Sequence, residues 1–318
     1  MKSVKSSKKI LVLGSSGMIG SAVNRVFSNG IDVILTPKRK ELDLENQSQV
    51  FDFFDYHRPH TVILAAGVVG GIIANIKQPY DLIHRNLMML GNVAESANRF
   101  ATEKVVVFGS SCLYPKFCEQ PMKEEHIGTG QMEPTSSAYA SAKLAAIELG
   151  MAYNQQHNSD RYLCVIPNST YGPNDNFDLE TGHVLSALIG KFHDAKISGK
   201  SFVKLWGSGY ALREFIFADD VARAIKHLLD INYHTDLMPI NIGTGQEISI
   251  KELSEKIKHV IKFDGEIIWD TSKPDGSPRK LLDSSQIYNL GWKSNISIND
   301  GIKKTYEWYL NEEQNSMI

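Results

Sequence analysis

Short apolar runs rich in β-branched residues alternate with amphipathic stretches along the first half of the chain. Alternation of this kind predicts right-handed βαβ units, which build a parallel sheet with helices on both faces. We therefore predict an α/β fold with a doubly wound parallel sheet. The strand candidates are residues 9–13, 33–36, 62–65, 104–109 and 162–167.

The pattern changes after Tyr171-Gly172-Pro173, where polar loops precede a helix predicted from His183. A smaller second domain is expected to begin here. Residues 214–230 (EFIFADDVARAIKHLLD) then show a strand followed by an amphipathic helix, so the chain is expected to return to the first domain. We predict a larger domain of residues 1–171 plus about 214–247, and a smaller C-terminal domain of residues about 172–213 and 248–318.

Charge and composition exclude several classes of partner. The net charge of −2 gives no positive field for nucleic acid or an anionic membrane. The longest uncharged apolar run, residues 61–74, is shorter than the ~20 residues that span a bilayer. The N-terminal apolar stretch is too short for a signal peptide, so a cytoplasmic protein is expected. The three cysteines lack the close spacing of a metal site, and we expect no metal and no structural disulfide.

A glycine-rich turn follows the first predicted strand directly and precedes an amphipathic segment. The turn reads Gly14-Ser15-Ser16-Gly17-Met18-Ile19-Gly20. Gly14 allows a tight turn, Gly17 lets backbone amides approach a pyrophosphate, and Gly20 lets the helix pack on the strand. The N-terminus of that helix then faces negative charge. The larger domain is therefore predicted to bind a dinucleotide.

The turn after the second predicted strand, residues 36–40 (TPKRK), carries three cations. An NAD site usually has an acid here that accepts the ribose hydroxyls. A carboxylate would repel a 2′-phosphate, whereas the planar guanidinium of Arg39 can bind one with two hydrogen bonds. The turn favours NADP over NAD as the cofactor, and a solvated basic loop is the alternative.

Two serines and a Tyr-Lys pair provide a candidate catalytic group. Ser110 and Ser111 follow the fourth predicted strand, and Tyr139 and Lys143 come four residues apart further along. On a helix this spacing puts both side chains on one face, where the ammonium is expected to lower the pKa of the phenol. The phenol could then transfer a proton to a ketone oxygen held by a strand-end serine.

In this order and spacing, these motifs resemble the short-chain dehydrogenase/reductases, and the chain length resembles their extended, nucleotide-sugar branch. That branch has an NAD(P)-binding Rossmann fold. Longer stretches carry a closer resemblance, and they include AAGVVGGIIAN, GSSCLYPK, EPTSSAYASAKLAAIEL, YGPNDNFD, TGHVLSAL, WGSGYALREFIFADD and KPDGSPRKLLD. Through these stretches the whole chain resembles the GDP-L-fucose synthase family, whose members are GDP-4-keto-6-deoxy-mannose 3,5-epimerase/4-reductases.

The resemblance implies roles for five side chains. Ser110, Tyr139 and Lys143 would form the reductase triad. Cys112 and His183 would form the acid/base pair for epimerisation at carbons 3 and 5, where the ketone at carbon 4 acidifies both C–H bonds. Without the surrounding motifs, Cys112 would be interpreted as a small buried hydrophobe and His183 as a helix cap.

The resemblance also implies contacts to cofactor and substrate. The cofactor contacts beyond the glycine turn are Arg39, Asp43, Leu44, Ala65, Ala66, Gly67, Tyr139, Lys143, Pro167 and Ser169. The substrate contacts are His183, Lys191, Trp206, Arg213, Asp275 and Lys280.

Three positions depart from the family pattern. Lys191 stands where the family usually has arginine, Val68 replaces a lysine, and Ser169 replaces an asparagine. Because Val68 and Ser169 are expected near the sugar or nicotinamide pocket, they leave the identity of the sugar open.

The function expected from the resemblance is NADPH-dependent synthesis of GDP-L-fucose by a homodimer. One alternative is a C4 reductase of a GDP-4-keto-6-deoxy-heptose, with or without epimerisation. Two others are a 4-epimerase with permanently bound NAD and a non-catalytic dinucleotide sensor. The Ser110, Tyr139 and Lys143 set argues against the sensor.

Overall fold

The computed structural model describes residues 7–28, 30–179, 181–231, 233, 238–273 and 275–316. Six parallel strands form its main sheet in the order β2-β1-β3-β4-β5-β9. The strand order reverses between β1 and β3, which is where open α/β sheets form a ligand crevice. The six strands are β1 Lys9–Leu13, β2 Val33–Leu35, β3 Thr61–Leu64, β4 Lys104–Phe108, β5 Tyr162–Pro167 and β9 Ile240–Ile242. The predicted fold class is confirmed, and the bounds of the five predicted strands differ by at most one residue.

Helices cover both faces of this sheet. Side chains alternate along β1, so Leu11 and Leu13 face one apolar cluster while Ile10 and Val12 face the other. Helices α2 Gln47–His57, α4 Pro79–Arg99 and α5 Ser137–His157 supply the first cluster. Helices α1 Met18–Phe27, α7 Ala218–Asp230 and α9 Ser285–Asn289 supply the second. Apolar burial on both faces explains why the strands are almost continuously apolar in sequence.

A third apolar cluster lies in a separate group of elements, which includes Tyr171, Leu185, Phe215, Leu253 and Ile302. These elements are a sheet of β6 Ser169–Tyr171, β8 Leu212–Phe217, β10 Glu247–Ser249 and β12 Arg279–Lys280, the pair β7 Phe202–Trp206 and β11 Glu266–Asp270, and helices α6 Val184–Ile197, α8 Ile250–Ile261 and α10 Ile298–Ser316. A short helix, α3 Ile72–Lys77, follows β3.

The chain rejoins the large sheet through α7 and β9, whereas β8 pairs with β6, β10 and β12. The domain boundaries given above stay a prediction, and residues 1–6, 29, 180, 232, 234–237, 274, 317 and 318 of those domains lie outside the described residues.

No helix among the described residues is long and apolar enough to cross a bilayer. The thiols of Cys112, Cys118 and Cys164 are free. Within the same described ranges, no three His, Cys, Asp or Glu side chains are grouped as a metal site would need.

Candidate active site

The five side chains predicted to be catalytic line one cavity of about 400 Å³. The cavity opens where β3, β4 and β5 end, beside the N-terminus of α1. It is bounded on the other side by His183 and Arg213, which belong to the smaller group of elements. The residues that meet here are Ser110, Cys112, Tyr139, Lys143 and His183. Because parallel strands end at the same edge, residues distant in sequence converge at this point.

Tyr139 and Lys143 lie on one face of α5, with the Lys143 ammonium 5.8 Å from the centre of the Tyr139 ring. Burial raises the pKa of the Tyr139 phenol, with Cys112 adding to the rise and a hydrogen bond to Ser110 opposing it. Burial also lowers the pKa of Lys143 to about 8. The predicted lowering of the phenol pKa is therefore wrong for this structure, because burial is the largest effect on that pKa and raises it. Tyr139 is held as a neutral hydroxyl, which is the form that donates a proton.

Ser110 lies just beyond β4 and caps the short 3-10 helix Ser111–Leu113. Its hydroxyl oxygen accepts a hydrogen bond from the Cys112 backbone N–H at 3.3 Å. This turn fixes the serine hydroxyl and the cysteine thiol close together at the floor of the cavity, both near Tyr139.

His183 occupies the N-cap position of α6 without a side-chain capping hydrogen bond, and its side chain is 55% exposed, so its ring can reach a ligand in the cavity. Its Nδ1 lies 3.8 Å from Oδ1 of Asp175, whose side chain is almost fully buried. The Asp175 carboxylate also accepts a hydrogen bond from the Ser186 hydroxyl. Interaction with this carboxylate raises the pKa of His183, against the opposing effect of burial. Asp175 lies in the YGPNDNFD stretch, but no motif there indicates that it faces His183.

A second cavity of about 250 Å³ adjoins the first and shares Gly17, Ala65 and Gly67 with it. Gly14 has a φ of +83°, and a Cβ on it would lie 2.5 Å from the Ala66 backbone nitrogen. A Cβ on Gly20 would lie 2.1 Å from the Gly14 carbonyl oxygen. Both positions therefore require glycine, at a tight turn and at a close contact between strand and helix. The backbone at Gly17 has more room, as a phosphate-binding turn requires.

The two cavities are lined by every predicted cofactor residue except Gly20, which lines neither. The second cavity is lined by Gly14, Ser15, Ser16, Gly17, Arg39, Asp43, Leu44, Ala65, Ala66 and Gly67. The first is lined by Gly17, Met18, Ile19, Ala65, Gly67, Tyr139, Lys143, Pro167 and Ser169. The two cavities share Gly17, Ala65 and Gly67 and together form one cleft along the strand ends.

Two of the predicted substrate cations line the first cavity. Arg213 on β8 and Lys280 on β12 are paired neighbours in a parallel register, so they stand side by side at one wall. Arg213 is held in place by hydrogen bonds to the carbonyl oxygens of Leu212 and Ser277, each 2.7 Å. Burial lowers its pKa.

The other predicted substrate residues do not line either cavity. Trp206 is 67% exposed, with the Lys273 ammonium 5.6 Å from its ring centre. Asp275 accepts hydrogen bonds from the Ser208 backbone and hydroxyl at 2.8 and 2.7 Å, and these lower its pKa. Lys191 lies on α6, and burial lowers its pKa. Pro274, in the same predicted motif as Asp275, lies outside the described residues.

Glu214 is a fully buried carboxylate beneath the cavity that sequence analysis missed. One oxygen accepts from the backbone N–H groups of Thr244 and Gly245, each at 2.7 Å. The other accepts from the Asn168 side chain and from the Leu282 backbone N–H. Glu214 thus joins the ends of β5 and β9 to the β8 and β12 strands that carry Arg213 and Lys280.

Asn86 on α4 holds the loop after β3. Its amide exchanges two hydrogen bonds with the Val68 backbone, at 3.0 and 2.9 Å. The Val68 side chain lines the second cavity, whereas Val69 lines the first. The substitution of valine for lysine at position 68 therefore lies beside the cofactor residues rather than at the centre of the catalytic cavity.

Comparison with known proteins identifies the family. Residues 10–243 match the NAD dependent epimerase/dehydratase family. The chain belongs to this family. It is 46% identical to GDP-L-fucose synthase 1 of Arabidopsis thaliana over 305 residues, which cover 96% of this chain and 94% of that protein. The resemblance to GDP-L-fucose synthases predicted from the sequence is confirmed by this similarity.

Solved structures of the family share the fold over nearly the whole chain. A GDP-L-fucose synthetase from Naegleria fowleri bound to NADP has a TM-score of 0.88 and 29% identity, covering 96% of this chain and 94% of that one. A GDP-6-OMe-4-keto-L-xylo-heptose reductase from C. jejuni also has a TM-score of 0.88, with 33% identity and coverage of 96% and 98%. The fold alone does not separate the two activities.

Proposed function

We propose that this chain is a GDP-L-fucose synthase, which uses NADPH to convert GDP-4-keto-6-deoxy-mannose into GDP-L-fucose by 3,5-epimerisation and 4-keto reduction. One observation carries the proposal. A reductase set (Ser110, Tyr139 and Lys143) and an epimerase pair (Cys112 and His183) share one cavity. They do so in a chain 46% identical to a GDP-L-fucose synthase over 305 residues.

The cleft has the features that a dinucleotide needs. The glycine turn brings backbone amides and the N-terminus of α1 to the junction of the two cavities, where a pyrophosphate would bind. Arg39 in the second cavity can bind a 2′-phosphate, and the first cavity holds the catalytic side chains. When bound, NADPH supplies the hydride that reduces the ketone.

The reductase residues position and protonate the ketone oxygen. The Ser110 hydroxyl can hold the oxygen, and the neutral Tyr139 hydroxyl beside it can donate the proton that turns the carbonyl into an alcohol. The Lys143 ammonium stabilises the phenolate that this transfer leaves behind, through their opposite charges in a buried setting.

The epimerase pair uses the acidity that the ketone gives to its neighbours. Inversion at carbon 3 or 5 needs one group to remove a proton from one face and a second group to deliver a proton to the other. Cys112 projects from the cavity floor next to Ser110, whereas His183 enters from α6. The two therefore come from different elements of the fold, and an inversion needs one such group for each face of the sugar ring.

Arg213 and Lys280 are the proposed contacts of the substrate diphosphate, because they are paired cations at the rim of the same cavity. The substrate contacts of Lys191, Trp206 and Asp275 remain predictions from the resemblance. The homodimer and the cytoplasmic location also remain predictions, and light scattering of the purified protein tests the first.

The second candidate is a C4 reductase of a GDP-4-keto-6-deoxy-heptose. It is favoured by Ser169, which lines the cavity where the family pattern has asparagine, and by the 33% identity to a heptose reductase. The deciding experiment supplies the purified protein with NADPH and either the 4-keto-hexose or the 4-keto-heptose GDP sugar. We expect NADPH oxidation and GDP-L-fucose with the hexose. Oxidation with the heptose alone would overturn the proposal.

A further inference from the structure

Three charged side chains meet in the second cavity, at the end of the cleft away from Tyr139. Arg85 on α4 donates to Oε1 of Glu45 from Nε at 3.0 Å and from Nη2 at 2.8 Å. Arg39 donates from Nη2 to the same oxygen at 3.3 Å. All three side chains line the cavity. A single carboxylate oxygen therefore contacts both Arg85 and the cation proposed to bind the 2′-phosphate.

The two arginines are held differently. Arg85 is 29% exposed and makes two contacts, whereas Arg39 is 71% exposed and makes one long contact. The carboxylate itself is anchored from its backbone. Leu44 is buried, its carbonyl accepts a hydrogen bond from Asn92 at 2.9 Å, and the Glu45 N–H donates to Asp43 at 3.1 Å. Arg39 is thus the member of the trio that is free to change partner.

A 2′-phosphate and the Glu45 carboxylate compete for Arg39. To bind the phosphate through two parallel N–H groups of its guanidinium, Arg39 must leave Glu45. The phosphate then lies near a carboxylate whose negative charge Arg39 no longer neutralises. Arg85 offsets some of that charge, because it stays bound to Glu45. A ribose 2′-hydroxyl carries no charge and meets no such repulsion, and a carboxylate can accept its hydrogen bond.

We propose that Glu45 weakens the preference of this chain for NADPH over NADH by competing for Arg39, and that Arg85 limits this competition by holding the carboxylate. Glu45 and Arg85 are then specificity-determining residues of the cofactor site, to which no motif in the sequence pointed. The inference rests on the proposed use of NADPH.

The experiment uses two probes that differ by the 2′-phosphate alone, adenosine 2′,5′-bisphosphate and 5′-AMP, titrated calorimetrically into the whole chain. For Glu45→Gln we expect the bisphosphate to bind about three- to tenfold more tightly at low salt, with a smaller gain at about 0.5 M salt. Binding of 5′-AMP should stay within about twofold, since it carries no charge near Glu45. For Arg85→Gln the bisphosphate should bind more weakly, because the released carboxylate holds Arg39 more strongly.

Glu103→Gln is the matched control, since it removes the same charge from an exposed glutamate that pairs with Lys8 instead. The proposal would be overturned if the ratio of bisphosphate affinity to 5′-AMP affinity in Glu45→Gln were the same as in the wild-type chain or lower. It would also be overturned if Glu103→Gln raised that ratio as much as Glu45→Gln does. If the wild-type chain binds the two probes equally, it has no preference for the 2′-phosphate. That result would refute the proposed use of NADPH, and with it this inference. A wild-type preference that Glu45→Gln leaves unmoved refutes the role of Glu45 alone.

Discussion

The two ends of the cleft achieve binding and chemistry by different physical means. At the catalytic end, Ser110, Tyr139 and Lys143 extend from β4 and α5 into a desolvated setting that shifts the pKa values of Tyr139 and Lys143. At the other end, Arg39 lies on an exposed loop and makes one contact to Glu45. In the proposed function, burial sets the protonation states where a proton moves, whereas an exposed charge selects between the two cofactors. Changes at the buried end should therefore be large and insensitive to salt, and changes at the exposed end small and salt-dependent.

The largest expected effect is at Tyr139. Tyr139→Phe removes the hydroxyl that donates the proton, so the rate of ketone reduction should fall by about 10³-fold, with NADPH binding retained. Stopped-flow absorbance at the nicotinamide band measures the rate, and fluorescence titration measures binding. Tyr56→Phe, at a tyrosine 82% exposed on α2, is the control and should react normally. A Tyr139→Phe enzyme with near-normal turnover would refute the assigned donor.

The next largest effect concerns the buried carboxylate beneath the cavity. Both oxygens of Glu214 accept hydrogen bonds from backbone N–H groups. Glu214→Gln replaces one oxygen with an amide NH₂, which would face a backbone N–H donor and leave that donor without an acceptor. We expect a loss of about 3 kcal/mol of stability, observed as a lower midpoint of thermal unfolding. Glu255→Gln, on the exposed side of α8, should leave the midpoint unchanged. Equal unfolding midpoints for both variants would mean that the hydrogen bonds of Glu214 do not stabilise the fold.

An intermediate effect is expected where the cavity opens to solvent. Asp175 raises the pKa of His183, so Asp175→Asn should lower it. Whether His183 acts as acid or base, its limb of the pH profile should move to lower pH, and the rate measured at a fixed pH on that limb should change with it. Proton exchange at carbons 3 and 5, followed by NMR across pH, measures this limb. Cys112, Arg213 and Lys280 also face the cavity and are unchanged in the variant. A limb that does not move would contradict the pairing.

The smallest effect is expected at Arg39. Arg39→Ala should raise the KM for NADPH about fivefold and leave that for NADH within about twofold, because only the former carries the 2′-phosphate. The difference should shrink as salt is raised. Steady-state kinetics with both cofactors at two ionic strengths measures it. An equal change in KM for both cofactors would mean that Arg39 does not bind the 2′-phosphate and only affects the structure of its loop.

Much of the fold was predictable because four of the five strands of the first half (β1, β3, β4 and β5) are almost wholly buried and bounded by clear turns. The glycine turn and the group of Ser110, Tyr139 and Lys143 were predictable for the same reason, since strand ends and helix spacing determine where they lie. Asp175, Glu214 and Arg85 were not, because their partners His183, Thr244 and Glu45 are brought to them by tertiary packing.

The direction of the Tyr139 pKa shift was mispredicted for a related reason. The four-residue spacing shows that Lys143 is near, but it does not show how deeply both groups are buried. Desolvation depends on the whole fold, so a local motif cannot give its magnitude.

The central claim is that one cavity carries out both epimerisation and reduction on the same keto-sugar. Its most direct test is to run the wild-type reaction with NADPH and GDP-4-keto-6-deoxy-mannose in heavy water and locate deuterium in the product by NMR. The account predicts GDP-L-fucose with solvent deuterium at both carbon 3 and carbon 5. A reduced sugar without deuterium at either carbon would contradict it, leaving Cys112 and His183 without the proposed role.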